Sequence, residues 1–139
     1  MKEVKFKAWD KWEKEMLPVA GINFTNGFMW INELIDDETP ANIRYLDEVV
    51  LRQYTGLKDK KGIDVFEKDI VNIVELSKNI LEYVSVVEYE NSGYLVTEPN
   101  GTQVPLDCFH NQENAVMPLF EIEVIGNAFE NPDLLEGEK

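Results

Sequence analysis

The chain has 139 residues, of which 44% are hydrophobic and 11% aromatic, and a net charge of −14. This length allows one domain, or one domain with a small appended lobe, that folds without a disulfide framework. The single cysteine excludes intramolecular disulfides, and no apolar run approaches the roughly 20 residues of a membrane span. Because the charged start also lacks the apolar stretch of a secretory signal, we expect a cytoplasmic protein without a membrane partner.

The charge is unevenly distributed along the chain. Residues 62–138 contain sixteen acidic residues and only two cations, Lys68 and Lys78, whereas the remaining residues are balanced. An acidic surface of this size repels phosphate backbones, which bind proteins mainly through lysine and arginine. We therefore expect no direct nucleic-acid binding, and the simpler role of the acidity is to keep the protein soluble.

Residues 1–48 are predicted to form an N-terminal β lobe and a connector. Residues 4–8 alternate between apolar residues and lysine, which is the period of a half-buried strand. The pattern breaks after Asp10 and resumes at residues 16–19, which predicts a hairpin. Asn26-Gly27 is a strong turn signal between two apolar pieces and predicts a second hairpin.

The segment IDDETPANIRYLDE, residues 35–48, is the best helix candidate of the chain. Thr39 is a suitable cap, Pro40 suits the first helical position, and Ile43 and Leu46 are three residues apart. A loop explains this short segment equally well.

From Val49 onward the sequence predicts β-strands. Four runs are rich in β-branched residues or alternate in polarity: VVLRQY, DIVNIVEL, EYVSVVEYE and FEIEVIGN. The turn signals between them lie at residues 58–62, 91–93, 99–101 and 110–114. Short strands at this spacing predict a small barrel or sandwich over residues 49–135, followed by a polar tail at 136–139. Residues 131–135 are expected to form a one-turn helix, and its two leucines are expected to plug the barrel.

The stretch QYTGLKDKKGIDVFEKDIV, residues 53–71, contains a strand end, a tight turn and a second strand. Gly56 and Gly62 supply backbone freedom where the chain reverses direction. Ile63, Val65 and Phe66 form the apolar side of this stretch. Nothing in these residues requires catalysis.

This stretch resembles the signature of the YopX-like family of phage and prophage proteins, in which Q-Y-T-G-L-K-D-K-x-G leads into an apolar-E-G-D-I-V segment. The opening VKFKAWDKWEKEM and the closing EVIGNAFENPDLL at residues 123–135 resemble the family's first and last segments. VVEYENSGYLV lies between them in the family's order. The resemblance covers both ends of the chain and most of residues 49–135, and it does not extend to residues 20–48.

The resemblance implies a mainly β fold, with a C-terminal SH3-like small β-barrel, an N-terminal β-hairpin lobe and little helix. It also implies a phage-derived protein in the bacterial host cytoplasm. It supplies no activity, because none is established for the family. One departure concerns Lys68, which stands where the family has glycine. Residue 68 therefore adopts either a negative φ or a strained left-handed conformation.

The sequence contains few residues for metal or nucleophilic chemistry. One histidine and one cysteine cannot supply the roughly three or four nitrogen or sulfur ligands of a zinc site. Cys108 and His110 are more typical of a small buried side chain and a loop residue than of a nucleophilic pair. A phosphate loop is absent, because GIDVFEKD lacks the glycines and the lysine with a following serine or threonine that the motif requires.

Two carboxylate pairs are spaced for one face of a strand, Glu121 with Glu123 and Glu88 with Glu90. Such a pair serves a hydrolase when an apolar pocket raises the pKa of one acid. Exposed pairs are usually solvated, and the same reasoning weakens a calcium or magnesium site. We therefore predict no catalytic residue, no cofactor and no metal.

Aromatic residues offer a binding interpretation instead. The candidate protein contacts are Trp12, Trp30, Tyr54 and Tyr94. Trp12, in the first hairpin turn, is the best candidate for an exposed contact. Core packing is the alternative for all aromatic residues, and it is preferred for Phe66 and Tyr89.

Three functions from different classes remain open. The leading hypothesis is a noncatalytic accessory protein that binds another protein or a second copy of itself. The second is an acidic decoy that imitates nucleic acid and occupies a host DNA-binding protein, which requires rows of acids with phosphate-like spacing. The third is a carboxylate-based hydrolase, which requires a concave pocket with one desolvated acid.

Overall fold

The computed structural model describes residues 4–31, 42–76, 81–90, 93–106 and 120–136. These residues form short strands with one 3-10 turn, Leu46–Glu48, and one short helix, α1 (Asp133–Glu136). The strands are β1 (Phe6–Asp10), β2 (Glu15–Pro18), β3 (Gly21–Asn23), β4 (Phe28–Trp30), β5 (Ile43–Tyr45), β6 (Val49–Lys58), β7 (Asp64–Phe66), β8 (Asp69–Glu75), β9 (Leu81–Val86), β10 (Glu88–Glu90), β11 (Gly93–Thr97), β12 (Gln103–Pro105) and β13 (Phe120–Asn127). The predicted mainly β fold is confirmed.

The chain divides into two compact units, Met1–Tyr54 and Thr55–Lys139, and the division falls within β6. In the first unit β1 lies between β2 and β6 and is antiparallel to both. The first predicted hairpin is confirmed, because β1 and β2 pair directly. The Asp10 carboxylate closes their turn by accepting the backbone N–H groups of Trp12 and Glu13.

A second sheet of the first unit has the order β3-β4-β5. Gly27 has a φ of 75°, which glycine adopts without strain, so the second predicted hairpin is also confirmed. Met29 of β4 is fully buried and contributes to one core with residues of β1, β2 and β6. The buried members of that core are Ala8, Leu17, Met29 and Val49.

Of the two alternatives predicted for residues 35–48, a helix or a loop, neither describes Ile43–Tyr45. Ile43–Tyr45 form β5, which pairs with β4, and Leu46–Glu48 form the 3-10 turn. Pairing with β4 satisfies the backbone of this segment better than one turn of isolated helix would. The carboxylate of Glu48 caps the 3-10 turn by accepting the N–H of Tyr45. Thr39 and Pro40 lie outside the described residues.

In the second unit β8 is the central strand of a sheet ordered β13-β8-β9, and β10-β11-β12 form another sheet. Strand β7 lies beside β6. Buried residues of these strands and of the segments next to them form one core: Leu57, Val65, Val71, Ile73, Tyr83, Val87, Val96, Leu106 and Ile122. The curled sheet is consistent with the expected small barrel of the SH3-like kind.

Two expectations about burial in the second unit were wrong. Val65 and Phe66 are buried as predicted, but Ile63 is 52% exposed, because it lies at the turn beside Asp59. Tyr89, for which core packing was preferred, is also 52% exposed. It lies on β10, an edge strand of its sheet within the described residues, and its ring contacts Tyr94 edge-on at 5.0 Å between centroids.

The closing segment confirms the predicted one-turn helix, whose two leucines are half-buried. Strand β13 has a register shift between Val124 and Gly126, where the chain bends toward the turn. A Cβ on Gly126 would lie 2.6 Å from Oδ1 of Asn131, so only glycine fits there without displacement. That same oxygen accepts the N–H of Asn127.

Candidate functional site

The four predicted contact residues have different environments. Trp12 is 78% exposed at the tip of the first hairpin, and Trp30 and Tyr94 are half-buried. Tyr54 is buried, with 4% of its surface exposed, and the ammonium of Lys5 lies 5.0 Å from its ring centroid. Core packing therefore accounts for Tyr54, and it is removed from the candidate surface.

Trp30 belongs to a group of apolar side chains on one side of the sheet β3-β4-β5. Phe28 lies directly opposite Tyr45, and Trp30 lies directly opposite Ile43. Opposed residues, and residues two apart, share one face of an antiparallel pair. We call Phe28, Trp30, Ile43 and Tyr45 the aromatic face. Ile43 is 39% exposed and Tyr45 is 55% exposed.

The other side of this sheet is occupied by the core of the first unit. Met29 and its opposite residue Arg44 project there. The Arg44 guanidinium bonds the Asp10 carboxylate at 2.9 Å, and Asp10 is buried. Backbone N–H donation from Glu13, together with Arg44, lowers the pKa of Asp10 below its ordinary value. The aromatic face is thus fixed in direction, because a shift of register would bring the buried residues to the surface.

Gly21 positions the Trp30 ring on the aromatic face. It lies opposite Trp30, and a Cβ built on Gly21 would lie 2.0 Å from the indole. The indole therefore lies directly over the glycine, and it also contacts Phe28 with ring centroids 6.0 Å apart.

The signature stretch at residues 53–71 has a structural role. Asp59 is buried, and its carboxylate accepts three backbone N–H groups, those of Lys61, Ile63 and Val124. The first two bonds form the turn, and the third joins the turn to β13. Lys68 adopts a φ of 70°, so of the two predicted alternatives the left-handed one is correct.

The carboxylates of both predicted pairs, Glu121 with Glu123 and Glu88 with Glu90, have side-chain partners. Lys60 lies 3.6 Å from Glu121 and 3.7 Å from Glu123, and Lys61 lies 2.7 Å from Glu123. The hydrogen bond from Lys61 lowers the pKa of Glu123, which is opposite to what a general acid needs.

The pair at 88 and 90 is similar. Glu88 pairs with Lys68, and Glu90 accepts a hydrogen bond from Gln103. Glu90 and Gln103 also line a shallow cavity of about 320 Å³ beside Tyr94. Neither predicted pair has the desolvated acid that the hydrolase hypothesis requires.

The acids of the second unit also do not form a bare row of charges. Seven of those described are buried or paired with lysine: Asp59, Asp64, Asp69, Glu75, Glu88, Glu121 and Glu123. This arrangement gives no support to the imitation of a phosphate backbone.

An acid pair that spacing did not predict lies at the end of β8. Glu75 is 9% exposed, and Glu98, which follows β11, acts electrostatically on its carboxyl group. Burial raises the pKa of Glu75, and the neighbouring Glu98 raises it further. Position 75 continues the inward alternation of Val71 and Ile73, which is a signal that the sequence does contain.

Tyr83 of β9 lies beside this acid pair. It is opposite Ile73 and therefore diagonal to Glu75 on the same inner face. Its hydroxyl is buried and has no hydrogen-bond partner. Burial raises the pKa of Tyr83, and both Glu75 and Glu98 raise it further.

Other site types find no support in the part of the chain that is described. No three His, Cys, Asp or Glu side chains there are grouped as a metal site would need. No helix there is both long and apolar enough to cross a membrane. Cys108 and His110 lie outside the described residues.

The fold defines a mainly β protein of two small units. The sequence profile of the family described as "YopX protein" matches residues 5–136, so the chain belongs to the YopX family. The match includes residues 20–48, where the sequence alone showed no resemblance.

Two crystal structures share this fold. Protein EF1440 from Enterococcus faecalis matches with a TM-score of 0.66 and 24% identity, over 97% of this chain and 99% of that one. Protein yopX from Bacillus subtilis matches with a TM-score of 0.61 and 20% identity, over 96% of this chain and 98% of that one. No curated protein matches the chain.

Proposed function

We propose that the protein is a noncatalytic accessory protein of a phage or prophage that acts in the host cytoplasm by binding another protein through the aromatic face. The observation that carries the proposal is the composition of this face, in which Phe28, Trp30, Ile43 and Tyr45 occupy the outward positions of β4 and β5. Outward positions of an antiparallel sheet with one solvated side are usually polar.

The aromatic face has the residue types that dominate binding energy in protein interfaces, tryptophan and tyrosine. None of its four side chains is charged, so a partner can cover the face without burying an ion there. Trp30 is already positioned by Gly21 and Phe28, which reduces the conformational entropy lost on binding.

Charge favours a different protein over a second copy as the partner. Each molecule carries −14, so two copies repel each other at low salt, whereas a basic protein is attracted. The proposed partner is therefore a protein of net positive charge with an apolar patch that fits the face.

The test uses a photocrosslinking amino acid at position 45 of the full chain, expressed in the bacterial host. Position 89 is the matched control, because Tyr89 is a similarly exposed tyrosine of the second unit. We expect a defined adduct from position 45 and none from position 89. Equal adducts from both positions, an adduct with a second copy only, or no adduct would refute the proposal.

The partner identified in this way is then purified and its affinity measured. Tyr45→Ser and Ile43→Ser are expected to weaken binding about tenfold or more each, as truncations of interface anchors do. The thermal unfolding temperature of both variants should stay near that of the wild type, since both side chains are exposed. If Trp12→Ser weakens binding instead, the binding surface lies at the first hairpin tip and not on the aromatic face.

A further inference from the structure

The shallow cavity beside Tyr94 lies on the outward side of the sheet β10-β11-β12. Its other described lining residues share that side: Glu90, Gly93, Leu95, Gln103 and Pro105. Val96 and Val104 lie on the opposite side of the sheet, which packs on the core of the second unit. We call this cavity of about 320 Å³ the β11 groove. Its volume is that of a small ligand site.

The floor of the β11 groove is apolar and contains a glycine that packing does not require. A Cβ on Gly93 would have no atom within 4 Å, and Gly93 is not one of the glycines with a positive φ. Glycine weakens a strand, and it often marks a place where a ligand or another chain approaches the backbone closely. Beside it lie Leu95, which is 9% exposed, and Pro105, which is directly opposite Leu95.

Glu90 and Gln103 form the polar wall of the β11 groove. They belong to the strands on either side of β11, and the Gln103 amide nitrogen donates to Oε2 of Glu90 at 3.1 Å. The amide carbonyl oxygen of Gln103 and the second carboxylate oxygen of Glu90 remain as acceptors. Within the described part of the chain, neither of these two oxygens accepts a hydrogen bond.

Glu90 also has no cation beside it among the residues that the structure describes. The described lysines of the second unit each pair with another acid: Lys58 with Asp64, Lys60 with Glu121, Lys61 with Glu123 and Lys68 with Glu88. Residues 91–92 and 107–119, which adjoin the groove strands in sequence, contain neither lysine nor arginine. An apolar floor beside an uncompensated carboxylate suits a cation on an apolar stem.

We propose that the β11 groove binds an arginine side chain of a partner protein. The methylene stem lies on Leu95 and Pro105, and the guanidinium donates to the remaining oxygens of Glu90 and Gln103. Arginine presents its donors as a planar fork that bonds two acceptors at once, whereas the ammonium of lysine is a compact, strongly hydrated point charge. Arginine therefore fits this pair of acceptors better than lysine does.

The source of the arginine is a different protein and not a second copy of this chain. The chain has two arginines, Arg44 and Arg52. Arg44 bonds the buried Asp10, and Arg52 is 1% exposed, so neither can enter a groove on another molecule. Free arginine is disfavoured, because its α-carboxylate is repelled by a chain of net charge −14. An arginine within a peptide has no such carboxylate.

The test titrates a blocked five-residue peptide of glycine, alanine and one central arginine into the ¹⁵N-labelled full chain. NMR chemical shifts report both affinity and location, and we expect saturable shifts at residues 90, 93, 95 and 103. The same peptide with citrulline, which has the shape of arginine without its charge, should bind about tenfold more weakly or worse, because hydrogen bonds to charged groups are the stronger ones. The lysine peptide should bind about threefold more weakly. Free arginine should also bind more weakly than the peptide.

Matched variants separate the β11 groove from general attraction of cations to an acidic surface. Glu90→Gln keeps the size of the side chain but removes its charge, and it should weaken arginine binding about tenfold. Gly93→Val fills the groove with a side chain that suits a strand, and it should abolish binding. Glu82→Gln removes the same charge from an exposed glutamate of β9 that bonds Asn72, and it should bind like the wild type.

Absence of saturable shifts would overturn the proposal, as would equal affinity for the arginine and citrulline peptides or an equal loss in Glu82→Gln and Glu90→Gln. Free arginine that binds as tightly as the peptide would overturn a protein as the source. If Gly93→Val does not fold, Glu90→Gln and the citrulline peptide decide the outcome. Tyr89, the control position for the aromatic face, projects from the other side of β10, so the two proposals stand or fall separately.

Discussion

Replacing Asp59 with alanine should destabilise the protein by about 3 kcal/mol. The carboxylate accepts N–H groups from Lys61 at 2.8 Å, Ile63 at 2.9 Å and Val124 at 2.9 Å. Lys61 and Ile63 are exposed, so their N–H groups can bind water after the substitution, at a cost of about 0.5 kcal/mol each. The N–H of Val124 lies in β13 and loses a charged acceptor, which costs about 2 kcal/mol.

Urea unfolding followed by circular dichroism measures this loss, and the thermal midpoint should fall by about 15 °C for a unit of this size. The matched control is Asp64→Ala, which removes the same charge five residues away. Asp64 pairs with Lys58, whose ammonium is exposed, so the control should cost less than about 1 kcal/mol. Equal losses in the two variants would refute the view that the signature turn is held by Asp59.

In urea unfolding, Lys68→Gly should be about 1 kcal/mol more stable than Lys68→Ala. Both variants lose the ion pair with Glu88, but only glycine adopts the left-handed backbone conformation without strain. Equal stabilities of the two variants would contradict this. Glu75→Gln should gain stability over the wild type as pH rises from about 4 to about 8 in thermal unfolding. The reason is that burial raises the pKa of Glu75, so the folded wild type holds more protons than the unfolded chain and loses stability with rising pH, whereas glutamine does not titrate. A constant difference across pH would contradict it. Gly126→Ala should cost about 2 kcal/mol, because the added Cβ would lie 2.6 Å from a side-chain oxygen, whereas Gly93→Ala, with nothing within 4 Å, should change little.

Local signals located much of the fold in advance. Asn26-Gly27 predicted the second hairpin and Pro99-Asn100-Gly101 predicted a turn, and both are present. The alternation at residues 120–124 predicted β13. These predictions succeeded because turn chemistry and the two-residue period of a strand act over a few neighbouring residues.

The sequence failed where a long-range contact decided the outcome. Ile43 was predicted to lie in a short helix or a loop, but it pairs with Trp30 on β4. Tyr89 was expected in the core but lies on an edge strand, and no local pattern distinguishes the two positions.

The sequence by itself determined the strand-rich class, the hairpins, the likeness to one family and the excess of acid in the second half. Only the tertiary structure decided which outward side chains are apolar and which distant acids act on one another. The acid pair shows the reason: Glu75 and Glu98 are 23 residues apart in the chain and meet only because β9 lies beside both β8 and β11. Contact between distant residues depends on how the sheets pair and pack, and alternation along a single strand carries no information about that.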